Sequence, residues 1–197
     1  MKLLHELRNA DREIVWYQAE NGFDESGTQT CGAMLCGSFN PLHEGHVRLA
    51  LAAGRFLGQS IGFELSIRNV EKPALDIETI VNRCRQFETQ PVALTNAPTF
   101  AEKSALLPGK TFIVGADTAV RIVDARFYGD QNADMLRALE AIRWNGCQFV
   151  VAGRTIGDRF VTLSDIEVPE SAEDLFVDFP DKQFRFDLSS SELRETD

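Results

Sequence analysis

Histidine is scarce in this chain, with three in 197 residues, and basic side chains are in deficit, 20 Lys and Arg against 30 Asp and Glu. The resulting formal charge of −10 excludes the broad basic stripe that nucleic acids or an anionic membrane surface require. A local basic pocket for a phosphate ligand remains allowed. No apolar run approaches the roughly 20 residues that span a bilayer, and no secretory leader is recognisable, so a cytoplasmic setting is expected. The four cysteines, Cys31, Cys36, Cys84 and Cys147, make no CxxC pair and no metal-ligand spacing with histidine. In runs such as "AMLC" and "GCQFVVAG" they read as small core residues of a reducing compartment. Internal repeats and low-complexity segments are absent.

What is present is an ordinary globular composition, 44% hydrophobic and 25% charged, long enough to bury one full core. Residues 1–30 are expected to form an N-terminal extension or linker, with a short helix and an edge strand around "EIVWYQ", and residues 31–197 the main domain. From Ala33 onward short apolar runs alternate with amphipathic patterns. "AMLC", "GFELSI", "VALT", "TFIVG" and "QFVVAG" read as strands. "HEGHVRLALAAGRFL", "DIETIVNRCRQFE", "TFAEKSALL" and "QNADMLRALEAIRWNG" carry helical spacing. Thr99 with Glu102 makes a capping box, and Asn145-Gly146 a helix stop. This alternation predicts an α/β fold, a Rossmann-like, doubly wound and mostly parallel sheet. "SALLPGKT" imitates a phosphate-binding P-loop but stands after a helix and before a strand, the inverse of the order that aims backbone N–H groups at phosphate. It is read as a turn.

Two of the three histidines stand together in "LCGSFNPLHEGH". The strand "AMLC" leads into Gly37, where backbone can approach a ligand closely, and Ser38, Phe39 and Pro41 shape the loop. His43 and Glu44 fall in the first turn of a helix, whose free N–H groups and dipole favour an anion. His43 and His46, at i and i+3, can face one side of that turn, and Gly45 leaves room for a phosphate chain. Imidazoles in such a place donate hydrogen bonds to phosphate as negative charge builds. Zinc would need a third ligand, and none is in view, so no metal site is assigned. The plain alternative is two polar residues capping a helix. Near the other end, in "LSSSELR", Ser189 and Glu192 make a second capping box, and Arg194 supplies a cation in fork geometry.

The string Gly-Ser-Phe-x-Pro-x-His-x-Gly-His resembles the signature of the HxGH nucleotidylyltransferase superfamily, and "LSSSELR" resembles that superfamily's Ile-Ser-Ser-Thr-x-x-Arg motif. The likeness spans about Ala33 to Asp197 and runs furthest with nicotinamide-mononucleotide adenylyltransferase-like, or cytidylyltransferase-like, proteins. It also resembles a branch in which such a domain follows a nicotinamide-nucleotide-amidase-like module. The resemblance implies AMP transfer from ATP, with Mg²⁺ arriving on the nucleotide, to nicotinamide or nicotinate mononucleotide, hence NAD biosynthesis. It implies His43, His46 and Arg194 as catalytic residues. Gly37, Ser38, Phe39, Gly45, Ser189, Ser190 and Ser191 would hold phosphate, and Gly115 and Asp117 of "VGADT" and Arg154 of "FVVAGR" would meet the nucleotide. Lys72 of "SIRNVEK" would contact the acceptor.

The chain departs from that pattern where a tryptophan should precede glutamate to stack on the nicotinamide ring. It has "PTFAEK" instead, so Phe100 is the candidate. Transfer to another phosphorylated acceptor such as phosphopantetheine, cytidylyl transfer, and a non-catalytic nucleotide-binding regulator stay open. Expected partners are ATP and a small phosphorylated substrate, with no nucleic acid and no membrane; a homo-oligomer is allowed.

Overall fold

Alternate residues along each apolar run point to opposite faces of a sheet, and here they fill two separate cores. A computed structural model describes residues 1–25, 31–69 and 73–180. Its strands are β1 (Ile14–Gln18), β2 (Gly22–Asp24), β3 (Ala33–Cys36), β4 (Ile61–Ser66), β5 (Val92–Thr95), β6 (Thr111–Gly115), β7 (Gln148–Ala152), β8 (Arg154–Ile156), β9 (Arg159–Val161) and β10 (Phe176–Phe179). The helices are α1 (Lys2–Arg8), α2 (Glu44–Leu57), α3 (Ile77–Cys84), α4 (Phe100–Leu106), α5 (Ala116–Ile122) and α6 (Asn132–Trp144).

Eight strands form one sheet in the order β10-β7-β6-β3-β4-β5-β1-β2. The six from β10 to β5 are parallel. This parallel part starts at the middle strand β3, steps outward through β4 and β5, then crosses back to β6 and out to β7 and β10. It is the predicted doubly wound α/β sheet, and the reversal between β3 and β6 opens a crevice at the carboxyl ends of those strands. Ala33, Leu35, Phe63, Leu65, Ile113 and Val150 point into one core, with Leu4, Ala50, Ala53 and Ile80 of α1, α2 and α3. Met34, Phe112, Val114, Phe149 and Val151 point into the other, with Ala119, Met135, Leu139 and Ile142 of α5 and α6. The helices therefore cover both faces, as a parallel sheet demands.

Residues 1–25 continue this architecture. β1 pairs antiparallel with β5, Val15 opposite Leu94, and β2 pairs with β1. The strand expected at the edge is thus one place inside it. Leu4 and Leu7 are fully buried in the first core, and Trp16 enters the second. The segment imitating a P-loop is the end of α4 and a turn: Gly109 has a positive φ and donates its N–H to Asn145 O, and Ser104 is buried. "RTIGDRF" forms the β8–β9 hairpin. No helix among the described residues is long and apolar enough to cross a membrane.

Candidate active site

The loop from Gly37 to Leu42 carries the histidines from the end of β3 to the start of α2. Phe39 takes a left-handed φ of 45°, strain that persists only where the surroundings over-determine it. Its ring supplies that hold. It is fully buried, with Phe63 and Phe87 each 5.3 Å away and His46 edge-on at 5.1 Å. Gly37 is required beneath it, because a Cβ there would stand 2.9 Å from the Phe39 ring. So Gly37 makes room for a side chain of the protein itself, and Phe39 supports His46 from within the core.

A second element clamps the loop from outside. Arg83 of α3 donates to Ser38 O at 2.9 Å, and Gln86, just past α3, donates to Phe39 O at 3.1 Å and accepts from Leu42 N–H at 2.8 Å. The helix α3 is itself fixed by its N-cap Asp76, which accepts from Thr79 N–H at 2.7 Å.

His43 is the N-cap of α2, and its ring stacks on that of His46, the centroids 3.8 Å apart. The backbone N–H of His43 donates to His46 Nδ1 at 3.3 Å. With Nδ1 accepting, the proton of neutral His46 resides on Nε2. Burial, then the neighbouring His43 and the Arg154 charge, push the His46 pKa down to about 3. Burial, then Arg154, also lower that of His43. Both rings are therefore neutral at physiological pH. Gly45 is buried in the first turn of α2, and Ser38 is exposed at the loop's outer side.

Arg154 heads β8, just past the end of β7, and its Nη1 lies 3.2 Å from Asp117 Oδ1 near the start of α5. Gly115, the N-cap of α5, is what lets that carboxylate fold back, since a Cβ there would come within 2.6 Å of Asp117 Oδ1. The carboxyl ends of β3, β6 and β7 thus bring His43, His46, Gly115, Asp117 and Arg154 to one end of a cleft. Ser189, Ser190, Ser191, Arg194 and Lys72, expected from the motifs, lie outside the described residues.

The other end of the cleft is a cavity of about 550 Å³. It opens off the same loop at Gly37, Ser38 and Asn40, and is walled by the end of β4 through Asn69 and by Pro98, Phe100, Lys103 and Thr118. Phe100, the candidate stacking residue, lines it, its ring held edge-on by Phe112 at 5.5 Å and Phe149 at 5.2 Å. Neither tryptophan reaches it: Trp16 is core and Trp144 is 88% exposed at the end of α6.

Sequence reasoning missed a buried ion pair beside this cavity. Glu64 of β4 is wholly inaccessible, and Lys103 Nζ of α4 lies 2.7 Å from its Oε2. Thr95 Oγ1 donates to the other oxygen, Oε1, at 2.6 Å. Burial opposes the Lys103 charge, but Glu64 beside it more than compensates and holds the ammonium's pKa above its ordinary value. Burial, then Glu64, raise the Cys36 thiol, so it stays protonated. The signal available in the sequence was a single acid in the otherwise apolar strand "GFELS".

Residues 34–196 match the cytidylyltransferase-like family, and the chain belongs to that family, within the nucleotidylyltransferases. A protein of Schizosaccharomyces pombe named "Putative nicotinamide mononucleotide adenylyltransferase" is 27% identical over 116 residues. That match takes in 50% of this chain and 44% of the yeast protein, so the chain corresponds to less than half of that relative's length.

Proposed function

We propose that this member of the cytidylyltransferase-like family transfers AMP from ATP to a phosphorylated acceptor. We take the acceptor to be nicotinamide or nicotinate mononucleotide, and the products to be the dinucleotide and pyrophosphate. The observation that carries the reading is the stacked His43–His46 pair at the N-terminus of α2, close to the Arg154 charge and held by a loop whose Gly37, Ser38 and Asn40 line the same cavity as Phe100. The name of the yeast relative favours the nicotinamide series as acceptor.

In this reading a phosphate oxygen of the acceptor attacks the α-phosphorus of ATP, the bond from that phosphorus to the β-phosphate bridging oxygen breaks, and pyrophosphate departs. ATP enters as its Mg²⁺ complex, the ion held by phosphate oxygens and water. No side chain becomes covalently attached. The protein contributes alignment and donors aimed at the charge that develops. His46 offers its Nε2–H, and the first turn of α2 offers backbone N–H groups. Arg154 offers a guanidinium that can exchange Asp117 for a nucleotide oxygen. Ser189, Ser190, Ser191 and Arg194 are assigned the leaving pyrophosphate, as the motif resemblance implies.

The test is to incubate the full chain with Mg²⁺, each of the four nucleoside triphosphates, and a panel of phosphorylated acceptors that includes both mononucleotides and phosphopantetheine, and to measure pyrophosphate. Release only with ATP and a pyridine mononucleotide is expected. Release with CTP or with another acceptor would move the assignment within the family, and ATP binding without release on any acceptor would make the chain a nucleotide-binding regulator.

A further inference from the structure

A chain with a net charge of −10 has, among the described residues lining its cavity, three cations and no carboxylate. The cations, Arg68, Arg83 and Lys103, do not sit together by element. Arg83 is bonded to Ser38 O, on the histidine loop, the side on which the attacking phosphate of the acceptor has to lie. Lys103 belongs to α4, on the Phe100 wall, its Nζ 4.9 Å from the centre of the Phe100 ring. Glu64, its partner, is wholly inaccessible, and both its oxygens are engaged, one by Thr95 and one by Lys103. Lys103 lines the cavity and Glu64 does not. One N–H of three goes to Glu64, so donors remain for a ligand.

A buried pair of this kind is no bargain for stability, because desolvating both charges offsets their attraction and apolar replacements often do as well. It does hold a cation rigidly at an aromatic wall. We propose that Lys103 determines acceptor specificity, selecting a pyridine mononucleotide whose ring carries a carboxylate over one that carries a carboxamide. This rests on the acceptor reading above and narrows it to the acid. A phosphate placed at Arg83 leaves Lys103 to the far end of the acceptor, where a ring laid along the Phe100 wall presents its substituent. Either substituent can accept a hydrogen bond from the ammonium, and a carboxylate adds a close charge pair that a carboxamide lacks. Glu64 and Thr95 act as positioning residues.

Calorimetric titration of the full chain with nicotinate mononucleotide and with nicotinamide mononucleotide reads the preference without requiring turnover. The acid should bind more tightly by roughly 10-fold or more, the gain of a close charge pair over a neutral acceptor. Because Lys103→Met alone would strand Glu64, the double variant Glu64→Gln, Lys103→Met is the comparison. Its ratio of acid to amide affinity should fall close to one, with ATP affinity unchanged. Equal or better binding of the amide by the wild type, a preference that survives in the double variant, or binding of neither mononucleotide overturns the proposal. Persistence of the preference with no pyrophosphate released on either mononucleotide would sink the transfer reading and leave this one standing.

Discussion

Two ion pairs flank one cleft and are built in opposite ways. Asp117 and Arg154 stand 3.2 Å apart with both side chains 39% exposed, while Glu64 and Lys103 stand 2.7 Å apart with 0% and 10% exposed. The first pair is screened by water and can trade partners at little cost. The second is committed, because removing one member leaves a charge without water or counterion. The difference matches the work assigned to each end. On the transfer reading proposed above, a nucleotide phosphate has to be gripped and let go within each turnover, which suits a cation held by a partner that yields. Telling one small acceptor from another asks for a donor that does not move.

The contrast can be broken most forcefully at Glu64. Glu64→Ala should cost about 3–5 kcal/mol of folding stability, read as a lower denaturant midpoint with unchanged slope. A loss no greater than that of an ordinary surface change would make the two pairs equivalent. Next in size is His46→Ala, which should leave a folded chain whose pyrophosphate release falls about 10²- to 10³-fold, as for loss of one donor to a developing charge. Wild-type turnover in that variant would falsify the role given to the histidine turn. Asp117→Asn should shift stability by less than about 1 kcal/mol, the range of exposed pairs, while changing nucleotide affinity.

A further signature lies in the pH dependence. His46 is pushed down to about 3 in the fold, below the roughly 6.5 of a free imidazole. Between those values the unfolded chain binds the extra proton and the folded one does not. Stability is therefore lost as pH falls from about 6.5 toward 3. His46→Gln should remove this contribution, so the variant gains on the wild type in unfolding experiments at pH 4 relative to pH 7. A difference independent of pH would show that the ring is not held neutral.

The sheet and its helices were legible because period two and period 3.6 are local properties of the chain, and the two cores follow directly from them. The histidine turn was legible for the same reason, since a strand end, a Gly-containing loop and a helix start all fall within a dozen residues. α5, over "ADTAVRI", escaped notice because its N-cap is Gly115, with no capping box of the kind that Thr99 and Glu102 give the equally short α4. The Glu64–Lys103 pair escaped for a different reason. Its members are 39 residues apart, and only the registers of β3, β4 and β5 bring Glu64 beside Cys36 and Ala93 on the face that α4 covers. "GFELS" signals that a buried acid needs a partner and does not say which. The clamp of Arg83 and Gln86 on the loop, reaching back 45 and 47 residues, was out of reach of pattern reading on the same grounds.

The hairpin that β1 and β2 add beyond β5 bears on how this molecule can be handled. The family match begins at residue 34, yet the physical unit reaches back to α1, whose Leu4 and Leu7 fill the same core as Phe39 and Phe63. Trimming the chain to its family boundary would bare the β5 edge to other strands and open a hole near the phenylalanines that brace the histidine turn. A fragment cut there should clump and lose its fold together, so any shortened form of the protein, and any fusion to a neighbouring module, has to carry the first twenty-five residues.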